Sequence, residues 1–278
     1  PSLLQLLPEA VEAKDLPGMA DVDSSLLYFC RKVAERHTVA LSGECADEVF
    51  GGYPWFERSE LLEADTFPWC PDLEFRRAVV KPELWESLQV EDYVQARYQQ
   101  SLAEMPALPG EALWERRRRE VGWLSLNWFM STLLDRKDRM SMAAGLEVRV
   151  PFCDHHLVEY VWNIPWAMKA MNGQRKQVLR DAAEGLLPEE LLRRPKSPYP
   201  KTHDPLYEQL VRARLLTILD DRDAPIHSLV DETALRAGLL SDAGDYGKPW
   251  FGQLMAGPQM LAYLIQINEW MSRYHLTV

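Results

Sequence analysis

The segment Thr38-Val39-Ala40-Leu41 is short, apolar and partly β-branched, as expected of a strand buried on both faces. The periodicity of the rest of the chain is helical. That inventory constrains the fold more than any other feature, because a strand carries unpaired N–H and C=O groups along both edges and needs partners. With 278 residues and 47% hydrophobic content the chain can bury a sizeable core. The expectation is an α/β fold, predominantly helical in this chain, with few strands.

Leu3, Leu6, Leu7 and Val11 predict a first helix, and Leu26, Leu27, Phe29, Val33 and Ala34 a second that ends before His37. Residues 46–50 read as a helical turn closed by Gly51-Gly52, since glycine tolerates the left-handed conformation that ends helices. Longer helical patterns cover 88–104 and 111–144, the second ended by Gly145. Leu146 to Val150 alternates apolar and charged residues, so Glu147 and Arg149 share one face of an extended segment that Pro151 stops. Helices follow at 154–163, 174–185 and 188–194. RRPKSPYPKTHDP, from Arg193 to Pro205, is a proline-framed loop, and further helices fill 205–273. The chain divides into a strand and site region, 1–60, a helical region, 61–205, and a helical tail, 206–278.

The formal charge of −11 argues against broad affinity for nucleic acid or anionic membrane. The longest apolar run, VGWLSLNWFMSTLL, is interrupted by polar residues and shorter than the roughly 20 a membrane span needs. Cys30, Cys45, Cys70 and Cys153 lie far apart without a CxxC pair, in a chain too large to need disulfide staples; free thiols in a reducing cytoplasm are expected. The opening PSLLQLLPEAVEAKD reads as a chain entered midway.

Three places carry candidate chemistry. Directly behind the strand, SGECADEVFGG sets Glu44, Asp47 and Glu48 at a strand-to-helix turn. Open α/β sheets place ligands there, and a carboxylate can hold a divalent metal that bridges to phosphate. The alternative is that Glu44 caps the helix and Asp47 occupies its first turn, with nothing bound. Next comes DRKDR, where Asp135 and Arg139 fall four apart and pair along a helix, followed by Glu147 and Arg149, which form either a structural ion pair or a polar substrate contact. The third is Lys196 in the proline-framed loop, where a solvated lysine is the alternative to one that meets a phosphate. WERRRRE, from Trp114 to Glu120, reads as a solvated helix face rather than a nucleic-acid patch. Cys153-Asp-His-His156 lacks a second ligand pair at structural-zinc spacing.

SGECADEVFGGYPWF, DRKDRMSMAAGLEVRVPFCDH and KQVLRDAAEGLLPEELLRRPK, in that order, resemble the synthetase half of glutamine-dependent asparagine synthetases. The resemblance runs from about residue 1 to about residue 205. It implies an ATP-pyrophosphatase-type (adenine nucleotide alpha hydrolase-like) domain that adenylates the side-chain carboxylate of aspartate and lets ammonia from glutamine attack, with ATP and Mg2+ required. It implies further that Asp47 is the Mg2+-pyrophosphate carboxylate, that Ser42, Gly43 and Glu44 line the nucleotide and acyl-adenylate pocket, that Glu48 lies near the site of ammonia attack, that Lys196 steadies the departing pyrophosphate, and that Glu147 matches a glutamate of a catalytic dyad in related β-lactam synthetases.

Two residues depart from the motifs: Cys45 stands where glycine is common and Cys153 where leucine is usual. The phosphate loop SGGxDSS does not occur in the sequence, Val22-Asp-Ser-Ser25 mimicking only its end, and the glutaminase domain is likewise not represented. The expectation is a fragment that carries part of a synthetase site and is inactive alone, its partners being the glutaminase and ATP-loop portions of a parent protein. Aspartate, ATP and ammonia are the small-molecule substrates, and assembly as a homodimer is open. A relative acting on another carboxylate, as in β-lactam synthesis or peptide cyclisation, and a retired helical scaffold remain as alternatives.

Overall fold

The structure, a computed structural model, describes residues 3–71, 73–170, 173–195, 197, 199, 204–238 and 249–278. The helices that build its core and site are α1 (Leu7–Lys14), α2 (Asp21–Ala34), α3 (Ala46–Phe50), α4 (Val90–Ala103), α5 (Leu113–Leu124), α6 (Met130–Ala143), α7 (His155–Trp162), α8 (Gln177–Ala182), α9 (Pro205–Asp220) and α10 (Gly257–Tyr274).

The strand that needs partners finds one within this chain. β1 (Val39–Leu41) pairs in parallel with β2 (Glu147–Arg149), Val39 opposite Glu147, Ala40 opposite Val148 and Leu41 opposite Arg149. Burial on both faces is also corrected, since Leu41 is 74% exposed. In-register strands place alternate residues on common faces. Ala40 and Val148 pack onto Leu26 and Leu27 of α2, Met140 of α6 and Leu146. Val39, Leu41, Glu147 and Arg149 lie on the other face, which is open.

α2 forms where its sequence favours it: Asp21 and Asp23 occupy the first turn and Arg31 and Lys32 the last, each complementing the helix dipole. The single helix expected over 111–144 is divided. Between α5 and α6 the chain widens into a π-helical turn, Ser125–Phe129, where Ser125 Oγ donates to Val121 O at 2.7 Å and accepts from Trp55 Nε1 at 3.3 Å. A hydroxyl that bonds the preceding turn and a neighbouring indole competes with the regular ladder. α9 and α10 interleave Val211, Leu215 and Ile218 with Leu261, Leu264 and Ile265, and Leu7 of α1 joins them. The tail is therefore built into the same core as the first helix. Among the described residues no helix is long and apolar enough to cross a membrane.

Candidate active site

β1 delivers the acidic turn. Ser42 N–H extends the strand pairing to Arg149 O at 2.8 Å, and Ser42 Oγ accepts from Glu44 N–H at 3.3 Å. Gly43 has open space where a side chain would stand, with no atom within 4 Å of an added Cβ. The cap position of α3 belongs to Cys45, at φ +73° and with no side-chain capping bond, so Glu44 is not a helix cap. Its carboxylate reaches α6 instead, 3.2 Å from Lys137 Nζ and 3.6 Å from Arg136. Both cations are buried, at 5% and 6% side-chain exposure. A buried cation needs an anion near it, and Glu44 supplies it.

Asp47 faces a different cation. Lys176, the cap residue of α8, places Nζ 2.8 Å from Asp47 Oδ1. The two meet over Gly52, where an added Cβ would lie 1.8 Å from Asp47 Oδ1 and 2.5 Å from Lys176 Cε. Gly51, at φ +73°, would meet the Trp166 ring at 2.5 Å. Here glycine is required both for the left-handed backbone that ends α3 and for the approach of its neighbours.

Glu48 points into the protein. It is 3% exposed and accepts a hydrogen bond from Tyr53 Oη at 2.7 Å; burial, followed by the Glu48 charge, pushes the Tyr53 phenol far above its ordinary range. Glu147 lies on the exposed face of β2 and pairs with Arg149 at 2.8 Å. Lys196 falls outside the described residues. The structure thus gathers Ser42, Gly43, Glu44 and Asp47 into one turn and adds Arg136, Lys137 and Lys176. Sequence reasoning assigned these cations no role. The signal was present in DRKDR and in the leading lysine of KQVLR, but the Asp135–Arg139 pair, which does form at 3.4 Å, accounted for the first run locally.

Other expectations change as well. Cys45 and Cys153 are joined in a disulfide, with Cα atoms 5.9 Å apart. Asp154 beside them caps α7, accepting from the N–H groups of His156 and Leu157. The arginine run is not simply solvated: Arg117 donates to Tyr98 Oη at 2.9 Å, Arg119 is held by Glu111 at 2.7 Å, and only Arg116 lies well exposed. Behind α3 a cavity of about 370 Å³ is bounded by Glu48, Gly51, Arg118, Trp162, Trp166 and Lys169. Burial lowers the Lys169 ammonium from 10.5 to about 8.

Helices cover one face of a parallel strand pair whose first strand ends in an acidic, glycine-closed turn, an α/β arrangement that fits the ATP-pyrophosphatase-like fold of the asparagine synthase domain. Residues 2–272 match the asparagine synthase family, and the chain belongs to it. Over 276 residues, 99% of the chain, it is 50% identical to the asparagine synthetase (glutamine-hydrolyzing) 3 of Bacillus subtilis strain 168, covering 45% of that protein. It is 31% identical to asparagine synthetase (glutamine-hydrolyzing) 1 of the same organism over 70% of this chain and 35% of the relative. A 67-residue stretch, 23% of the chain, is 45% identical to 12% of the asparagine synthetase (glutamine-hydrolyzing) of Mesocricetus auratus. The chain therefore spans less than half the length of these relatives.

Proposed function

We propose that the protein containing this chain is a glutamine-using asparagine synthetase, a carbon-nitrogen ligase, and that this chain forms one wall of its synthetase site. The aspartate side-chain carboxylate attacks the α-phosphorus of ATP and pyrophosphate leaves. Ammonia from glutamine then attacks the activated carbonyl, AMP leaves, and asparagine forms. The observation that carries this reading is the Asp47–Lys176 pair, 2.8 Å apart at the carboxyl end of β1, where open α/β sheets bind ligands.

Mg2+ suits the donor set. It takes oxygen ligands, uses one or two protein carboxylates and fills the rest of its shell with water and phosphate oxygens. The turn offers Asp47, and among the described residues no three His, Cys, Asp or Glu side chains converge as a ready-made metal-holding group. When bound, the ion would offset charge on the departing pyrophosphate. Lys176 fixes the direction of Asp47. Gly43 leaves the backbone open to the nucleotide, Ser42 and Glu44 line the acyl-adenylate pocket, and Lys196 steadies pyrophosphate. Glu48 accepts a proton as ammonia attacks, with Glu147 a further carboxylate of the dyad type.

The test is aspartate-dependent exchange of labelled pyrophosphate into ATP by the full-length protein. Exchange with aspartate, largely lost in Asp47→Asn, supports the reading. Exchange with another carboxylate in its place moves the protein to a β-lactam or peptide-cyclising relative. The 278-residue chain alone should make no asparagine from aspartate, ATP and ammonia; product formation would overturn the shared-site reading.

A further inference from the structure

The disulfide ties together the two segments that define the site. Cys45 caps α3 between Glu44 and Asp47. Cys153 ends the short turn Pro151–Cys153 that follows β2, 108 residues further along the chain. Both residues are the departures from the motif pattern noted in the sequence, and they are bonded to each other. The remaining cysteines are in different situations: Cys30 is buried, its thiol pushed up first by burial and then by the Glu44 charge, and Cys70 Sγ accepts from Arg76 at 2.8 Å.

Cys45 also holds an unusual backbone. Its φ of +73° is a left-handed conformation that a residue with a side chain keeps only where its surroundings enforce it. Residues 44 and 46 follow its peptide planes, so the directions of Glu44 toward Lys137 and of Asp47 toward Lys176 depend on that conformation. The bond to Cys153 is a constraint placed on the strained residue itself.

We propose that Cys45–Cys153 is a thiol–disulfide exchange site whose reactant is a dithiol, and that the bonded state holds the Glu44–Asp47 turn in its competent geometry. This regulation rests on the adenylating function proposed above, whereas the exchange chemistry stands without it. Cys45 is 4% exposed and Cys153 is partly exposed, so the reductant's thiolate attacks Cys153 Sγ. The sulfur–sulfur bond breaks, Cys45 leaves as a thiolate and takes a proton, and a mixed disulfide joins Cys153 to the reductant. The second thiol of the reductant then displaces Cys153. Two electrons and two protons pass to the cysteine pair, and the dithiol becomes a disulfide. An oxidised dithiol reverses the sequence. Once reduced, Cys45 relaxes from its left-handed conformation and the turn loses its alignment.

The experiment titrates the full-length protein with reduced and oxidised dithiothreitol, reads the linkage by alkylation and peptide mass spectrometry, and reads the site by pyrophosphate exchange. The expected result is a Cys45–Cys153 linked peptide in the oxidised protein and an exchange rate that falls about tenfold on reduction and recovers on reoxidation, the scale of a small misplacement of reacting groups. Cys45→Gly should exchange at close to the oxidised rate and ignore dithiothreitol, because glycine adopts the positive φ unaided; Cys153→Ser should behave as the reduced protein does. No linkage under oxidised dithiothreitol, or measurable pyrophosphate exchange at the same rate in both states, overturns the proposal. If neither state exchanges pyrophosphate with any carboxylate, the proposed function has failed and hydrogen–deuterium exchange over residues 42–52 decides. Faster exchange on reduction in the wild type but not in Cys45→Gly upholds the latch, and unchanged protection overturns it.

Discussion

Lys176 Nζ lies 2.8 Å from Asp47 Oδ1, and the two side chains meet in the space that a methyl group on Gly52 would fill. A carboxylate from α3 and an ammonium from the cap of α8 are thereby held at the end of β1 by the absence of a side chain between them.

Gly52→Ala should separate this pair. The added Cβ would sit 1.8 Å from Asp47 Oδ1, a distance that requires the carboxylate or the backbone to move. Overpacking of this kind costs about 1–3 kcal/mol, and displacement of Asp47 should lower pyrophosphate exchange about 100-fold. Thermal unfolding and exchange measured on the same preparation check both effects.

Lys176→Ala should lower the adenylation rate of the full-length protein by about 10²–10³, as should Lys196→Ala, the usual scale for loss of a preorganised charge. Because Lys176 acts through Asp47, the double variant Asp47→Asn/Lys176→Ala should be little worse than either single one. Additive losses would show that the two residues work independently.

Glu44→Gln should destabilise the fold. It removes the carboxylate that pairs with Arg136 and Lys137, both nearly buried, and removal of one partner of a buried pair costs about 3 kcal/mol. The melting temperature should fall by roughly 6–12 °C. Glu44→Asp, which keeps the charge, should lose less, as scanning calorimetry can resolve.

Lys169 makes stability depend on pH. Its folded pKa, about 8, lies below the ordinary 10.5. Between these values the unfolded chain holds a proton that the folded protein lacks, so stability rises with pH across that window; below it both states are protonated and the full cost of burying the charge remains. Lys169→Met should raise stability near pH 7 by about 3 kcal/mol and flatten the rise between pH 8 and 10.5. Denaturant titrations at a series of pH values test the sign as well as the size.

The local features were legible in the sequence. Thr38 to Leu41 is apolar and partly β-branched, and β1 forms there. Gly51 and Gly145 follow helical runs, and both take the left-handed conformation that ends them, at φ +73° and +71°. The alternation in Leu146 to Val150 placed Glu147 and Arg149 on one face, as found. Such features depend on neighbours within one or two turns, which any reader of the sequence can see.

The sequence by itself determined where the main helical runs lie, the acidic turn behind a strand and the order of motifs that marks the family. Tertiary structure alone decided which distant residues meet: β1 with β2, Glu44 with Arg136 and Lys137, Asp47 with Lys176, and Cys45 with Cys153. Each of these contacts joins segments far apart in the chain, and its existence depends on how helices pack around the strand pair rather than on local spacing. The same physics turned two cysteines, marked in the sequence only as separate departures from the motifs, into a bond across the site, because packing brought their Cα atoms to 5.9 Å.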